Sequence, residues 1–376
     1  MSRYESLGVR RIINANATLT RLGGSLMPPE VIAAMQEAAA SFVDLDVLQR
    51  RVGERIAELT RNDAAYVSSG AAAGLVLATA ACVTGSNPDL ITRFPDLDSL
   101  KNEVIVHRTH RNGYDYAVRQ TGVKLVEIGS EQGTTRADLE AAITSRTAAF
   151  FWFQGMMTTP NDLPLPEVID IAHRHGVPVV VDAAAQLPPV SNLWDFTQQG
   201  ADLALFSGGK DLRGPQSSGL ILGRKDLIEA CRIHGNPNQA IGRPMKVGKE
   251  EMLGLLAAVE RYLKLDHDAR ERACEEAVQE WCDALNAAPG VTAVRDFPNE
   301  ARQPLPRCLV TLDPAVTGIE RDEVVRRLLE GEPAISVATQ GDRGIYLNPM
   351  TLEAGEAEIV QTRLLAILTA KVHQRL

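Results

Sequence analysis

The segment SGGKDLRGPQSSG, residues 207 to 219, sets Lys210 among glycines and small side chains directly after the apolar run ADLALF. Gly208, Gly209 and Gly214 permit positive φ and close approach of a second molecule, a frame that suits a lysine forming a covalent bond to a carbonyl. A solvated lysine in a surface turn is the competing reading. Upstream, the hydrophobic run in VPVVVDAAAQLPP ends in Asp182. A carboxylate there would keep a pyridine nitrogen protonated and turn an aromatic ring into an electron sink. It would serve equally well as the N-cap of a helix beginning at AAAQ.

Two further segments belong to the same chemistry. In AAYVSSGAAAGLVLATAA a strand-like run enters small residues and then a long apolar stretch. Ser69, Gly70 and Ala71 would offer unpaired backbone N–H groups at a helix start, which bind phosphate. No Walker lysine and no GxGxxG accompanies them, so nucleotide motifs do not fit. In EVIVHRTHRNGYDYA, His110 is the candidate to stack on a cofactor ring, with His107 as its rival. The spacing of these histidines would also suit a metal, but no third ligand completes a set, and none is expected. His173 and His175 read as helix-end residues. Phosphate loop, ring-stacking histidine, ring-nitrogen aspartate and Schiff-base lysine thus follow one another along the chain, which points to pyridoxal 5′-phosphate (PLP) carried on Lys210.

These residues need elements that end in the right places. Between about residues 62 and 240 short apolar runs (AAYVSS, EVIVHR, VKLVEI, AAFFWF, VPVVVDAAA, ADLALFS, SGLILG) alternate with helical patterns. That rhythm predicts an α/β domain with a mostly parallel sheet, whose ligands gather beyond the carboxyl ends of the strands. Residues 1–27 read as an N-terminal arm, 28–245 as a large PLP-binding domain, and 246–376 as a small α+β domain. One helical pattern is expected from Lys249 to about Leu285, and a last helix from Ala354 to Val372.

The chain has 376 residues and a net charge of −9. An acidic surface argues against a nucleic-acid partner, because that affinity rests on clustered Lys and Arg. The five cysteines show no C-x-x-C spacing, and no run is long enough to cross a bilayer. A soluble, cytoplasmic protein with a small-molecule substrate is expected.

The elements RRIINANATLT, LTRNDAAYVSSGAAAGL, VRQTGVKLVEIG, KDLRGPQSSGL and GRPMKVGKEEMLGLLAAVERYL resemble the selenocysteine-synthase-like branch of the aspartate-aminotransferase-like, fold type I PLP enzymes. The SGGK lead-in and VDAAAQ segment resemble that branch's ammonia-lyases of amino-sugar acids such as D-glucosaminate 6-phosphate. The resemblance implies Lys210 as the Schiff-base lysine, Asp182 at the ring nitrogen, Ser69, Gly70 and Ala71 at the phosphate, Ser207 as a further phosphate contact, and Gln186 facing the ring hydroxyl. It implies α-proton abstraction and β-elimination on a 2-amino-3-hydroxy acid, with racemisation, aldol cleavage and transamination as alternatives that begin in the same way. Because the chain starts almost at RRIINA and is acidic, transfer on tRNA is not expected. Arg343, Arg213 and Arg243 are the candidate clamps for a substrate acid group. The resemblance also implies a homodimer or higher even oligomer. In the arm, Asn16, with Asn14, Thr18 and Thr20, either lines the substrate entrance or satisfies turns.

Overall fold

The computed structural model describes residues 2–370; Val372, the expected end of the last helix, lies outside them. In chain order the strands are β1 (Ile12–Ala15), β2 (Ala64–Ser68), β3 (Glu103–His107), β4 (Lys124–Ile128), β5 (Thr147–Phe153), β6 (Val179–Asp182), β7 (Leu203–Ser207), β8 (Gly219–Gly223), β9 (Val291–Asp296), β10 (Arg307–Leu312), β11 (Ala334–Gln340) and β12 (Gly344–Leu347). They form two sheets, in two compact units.

The larger unit, Met27–Leu265, holds a sheet of order β2-β8-β7-β6-β5-β3-β4. Strands β4, β3, β5, β6 and β7 are mutually parallel, and β8 runs antiparallel to both its neighbours. The apolar runs are central strands because both their faces are covered: every residue of β5 is buried. Along β3, Val104 and Val106 enter one core and Ile105 the other, the period-two alternation of a pleated strand. The first core includes the helices Leu45–Thr60, Leu165–Arg174 and Lys249–Tyr262; the second includes Ala71–Thr84 and Lys225–His234. At the edge strand β2, the buried Gln49 side chain donates to the Val67 carbonyl (2.6 Å) and accepts from the Val67 N–H (3.2 Å), so it pairs backbone that no strand reaches.

The smaller unit joins residues 1–26 to residues 266–376. Its sheet has the order β1-β11-β12-β10-β9, over a core that includes Trp281, Leu285, Val310, Ile335 and Leu364.

Three expectations on organisation differ from what is observed. The stretch from Lys249 to Leu285 is two helices, Lys249–Tyr262 and His267–Leu285, with Asp266 capping the second through the Ala269 N–H (2.8 Å). The unit boundary falls in that break rather than at residue 245, because Met252, Leu255, Val259 and Tyr262 belong to the core of the larger unit. Nor do residues 1–27 form a separate arm: residues 1–26 belong to the smaller unit. Strand β1 pairs in parallel with β11, Ile12 opposite Ala334 through Ala15 opposite Val337. All five cysteines are free thiols, and no helix among the described residues is long and apolar enough to cross a membrane.

Candidate active site

Strand register brings the chemistry together. Ser68 and Ser207 both pair with Gly219, from the two sides of β8. At about 4.8 Å per strand, those serines stand about 10 Å apart in one row. Beside β7, Leu205 pairs with Asp182, and Asp182 with Phe153 on β5. The row therefore marks the carboxyl edge of the parallel strands, where an open α/β sheet binds ligands.

Beyond Ser68 the chain turns into the helix Ala71–Thr84, with Gly70 as N-cap at φ 106. No side chain caps this helix, so its first-turn N–H groups lack the partners a cap would supply. Ser69, Gly70 and Ala71 are half-exposed, and a Cβ added to Gly70 would meet nothing within 4 Å. The buried Ser68 hydroxyl instead donates to the Gly70 carbonyl (2.9 Å) and shapes the turn. Ser207, in the same row, is half-exposed.

Lys210 lies in a turn whose form is dictated by close contacts. A Cβ on Gly208 would stand 2.0 Å from the Ser218 Oγ, and one on Gly209 2.5 Å from the Gln216 Cα. The Gly208 N–H donates to the Ser218 carbonyl (2.9 Å), Gly214 to Gly208 (2.8 Å) and Arg213 to Lys210 (2.9 Å). The next residue, Asp211, is buried and accepts from the Tyr262 hydroxyl (2.6 Å), which ties the turn to the helix behind it.

Asp182 ends β6 and is buried. No helix starts there: Asp182 Oδ1 accepts the Ala184 N–H (3.0 Å) and closes a turn, and the following helix begins only at Asn192. Burial pushes its carboxyl above the usual range, opposed by the Ala184 N–H and by the charge of Lys210. A buried carboxylate that feels the lysine's charge, on the strand next to the lysine's own, is what a protonated pyridine ring requires. With the open helix terminus for a phosphate, the set fits PLP.

His110 does not join this set. Its ring has no exposed surface; it packs edge-on against His107 and Trp152, each at 4.7 Å between centroids, and Nε2 lies 3.3 Å from Asp162 Oδ2. An enclosed ring has no face to stack. His107 is equally buried, with Nδ1 3.0 Å from the Thr134 hydroxyl. Burial lowers both imidazoles to about 4, so they are neutral near pH 7. His173 is structural, with Nε2 2.9 Å from Asp202.

Gln186 is buried in the turn after Asp182, its N–H donating to Ala183 and its carbonyl accepting from Asn192 Nδ2. Arg243 donates to Asn236 (3.4 Å). Arg343 is exposed between β11 and β12, and Asn16 is buried beside β11, its amide donating to the Val337 carbonyl (3.0 Å). Both belong to the smaller unit.

Sequence reasoning missed Gln154 and Asp162. Gln154 follows β5 directly, donates its N–H to the Asp182 carbonyl (2.9 Å) and accepts from Trp152 Nε1 (2.6 Å). A polar residue ending an all-apolar strand was the available signal. Asp162 accepts from the Thr109 hydroxyl (2.5 Å) and the Thr159 N–H (2.6 Å), joining the turn after β3 to the loop after β5. Nothing in its sequence surroundings marks it.

Known proteins resemble this arrangement over its full extent. A family model described as L-seryl-tRNA selenium transferase (SelA) matches residues 12–278. The chain is 35% identical to a Streptomyces 5′-C-glycyluridine monooxygenase-decarboxylase over 95% of this chain and 86% of that protein. It is 33% identical to the D-glucosaminate-6-phosphate ammonia lyase of Salmonella typhimurium over 96% of both. A solved structure of D-glucosaminate-6-phosphate ammonia-lyase superposes with a TM-score of 0.87, at 32% identity and 99% coverage of both chains. The architecture is that of the fold type I PLP enzymes.

Proposed function

Since the chain belongs to the L-seryl-tRNA selenium transferase (SelA) family, we propose that it is a PLP-dependent ammonia-lyase that removes water and then ammonia from a 2-amino-3-hydroxy acid. The substrate class is an amino-sugar acid, D-glucosaminate or its 6-phosphate. The observation that supports the PLP chemistry is Asp182 at the end of β6 with Lys210 in the turn just beyond the adjacent parallel strand β7. The choice of elimination rests on likeness to the lyase across 96% of both chains.

Once bound, the cofactor supplies an electrophilic carbon for the substrate amine and a ring that withdraws electrons from the α-carbon. Lys210 would hold it covalently, and with the substrate in place its Nζ would accept the α-proton. The same ammonium returns that proton to the departing β-hydroxyl, which leaves as water. Asp182 keeps the ring nitrogen protonated. Ser69, Gly70 and Ala71 would hold the cofactor's phosphate by their N–H groups, and the Ser207 hydroxyl would be a further contact. Gln186 is assigned to the ring hydroxyl. The products are a 2-oxo acid and ammonia.

A net charge of −9 speaks against a tRNA substrate. The same composition, with five free thiols, supports a cytoplasmic setting, and the family resemblance supports a homodimer or higher even oligomer.

The test is to incubate the holoenzyme with D-glucosaminate and its 6-phosphate while assaying ammonia and 2-oxo acid without any amino acceptor. Equal release of both is expected. Dioxygen uptake with carbon dioxide release, or activity only when an amino acceptor is added, would overturn the reading.

A further inference from the structure

We propose that Arg213 binds the substrate's carboxylate, an inference that rests on Lys210 being the reactive amine. Arg213 has φ 58, and among the described residues Arg61 and Arg302 are the other non-glycine residues with positive φ. Left-handed backbone is disfavoured for any residue with a Cβ and free for glycine. Arg61 has the usual reason for it, as the C-cap of the helix Leu45–Thr60. Arg213 ends no helix. A side chain kept where glycine would be unstrained points to a use for that side chain.

Its place supplies the use. The Arg213 N–H donates to the Lys210 carbonyl (2.9 Å), so the two residues close a β-turn and their Cα atoms lie within about 7 Å. The turn is fixed beneath them by the glycine contacts at Gly208 and Gly209 and by the Asp211–Tyr262 bond. Arg213 is half-exposed.

In a 2-amino acid the carboxylate is bonded to the carbon that carries the amine. That carbon must come to Lys210, so the carboxylate arrives within reach of a guanidinium three residues on. A phosphate on an amino-sugar acid sits at the far end of the carbon chain. The planar, five-donor guanidinium matches a carboxylate in two parallel hydrogen bonds. Arg243 donates to Asn236, in a loop outside the turn that holds Lys210.

The experiment titrates D-glucosaminate and its carboxamide into the holoenzyme and follows the visible absorbance of the bound cofactor. Wild type should bind the acid about 10- to 100-fold more tightly than the amide. Arg213→Gln should erase that ratio while affinity for the amide and for PLP stays unchanged, and Arg213→Lys should restore part of it. Arg213→Gly, whose backbone accepts φ 58 without strain, should match Arg213→Gln in binding while keeping the wild-type melting temperature, and replaces it if the glutamine variant does not fold. A ratio that survives in Arg213→Gln or Arg213→Gly overturns the proposal. So does loss of PLP affinity in either, which would assign the guanidinium to the cofactor's phosphate. If the acid binds without releasing ammonia, the elimination reading fails but the acid-to-amide ratio still decides this one.

Discussion

Gly219 lies so close to Ala71 that a Cβ on the glycine would stand 2.7 Å from the Ala71 backbone nitrogen. The strand start and the helix start share one patch of space. Gly219→Ala must push the helix terminus away from the row that holds Ser207. Overpacking of this kind costs about 1–3 kcal/mol. We expect a lower melting temperature and at least a ~10-fold weaker PLP dissociation constant, read by absorbance titration of the apoprotein. Unchanged PLP affinity would remove the helix terminus from the cofactor site.

Lys210→Ala should abolish the visible absorption of lysine-linked cofactor. Ammonia release should fall by roughly a thousandfold or more, the scale of losing a group that acts at the reacting atom. An unchanged spectrum on adding PLP would move the covalent site to another lysine.

Asp182→Asn separates stability from function. Burial raises the folded-state pKa of Asp182 in the apoprotein. A raised acid favours folding while protonated, fully so below its unfolded value of about 3.9, and that contribution is lost as pH rises through the folded value. At neutral pH the ionised carboxylate therefore burdens the apoprotein. Asp182→Asn should raise the apoprotein's melting temperature at pH 7, by a margin that shrinks toward pH 4, while ammonia release by the holoenzyme collapses. A variant apoprotein less stable than wild type at pH 7 would contradict this.

His234 gives the opposite pH signature away from the site. It is wholly buried, 2.8 Å from the Thr84 hydroxyl, and burial lowers its pKa from 6.5 to about 4. Between those values the unfolded chain binds the proton and the folded chain does not, so stability falls on acidification from 6.5 to about 4. His234→Gln should flatten that fall by up to one proton, ~1.4 kcal/mol per pH unit. Urea unfolding at several pH values in this window measures the slope, and an equal slope in both proteins would show that His234 does not titrate there.

The central sheet was legible because each of its strands is a short apolar run closed by a polar or small residue. Asp182 stood out as a charged residue ending an apolar run, and it ends β6 buried; Lys210 stood out by the glycines around it, and those glycines shape the turn after β7 in which it lies. Segments whose meaning depends on distant chain were not. Ile12–Ala15 reads as irregular until Ala334–Val337 lies beside it, and Gln49 looks like an ordinary helix polar residue until its amide meets the Val67 backbone. His110 misled because position after a strand says nothing about which way a ring turns. Asp162 turned it inward, from a loop with no pattern of its own. The helix from Lys249 was extended too far because apolar spacing continues through a break that only the Asp266 cap reveals.

The pairing of β1 with β11 also orders events during synthesis. Residues 12–15 leave the ribosome before the larger unit, and their partner strand follows only after the whole of that unit has been made. Until then the backbone groups that β11 will pair are open to any other strand. A strand made before the larger unit thus finds its place only after that unit is complete.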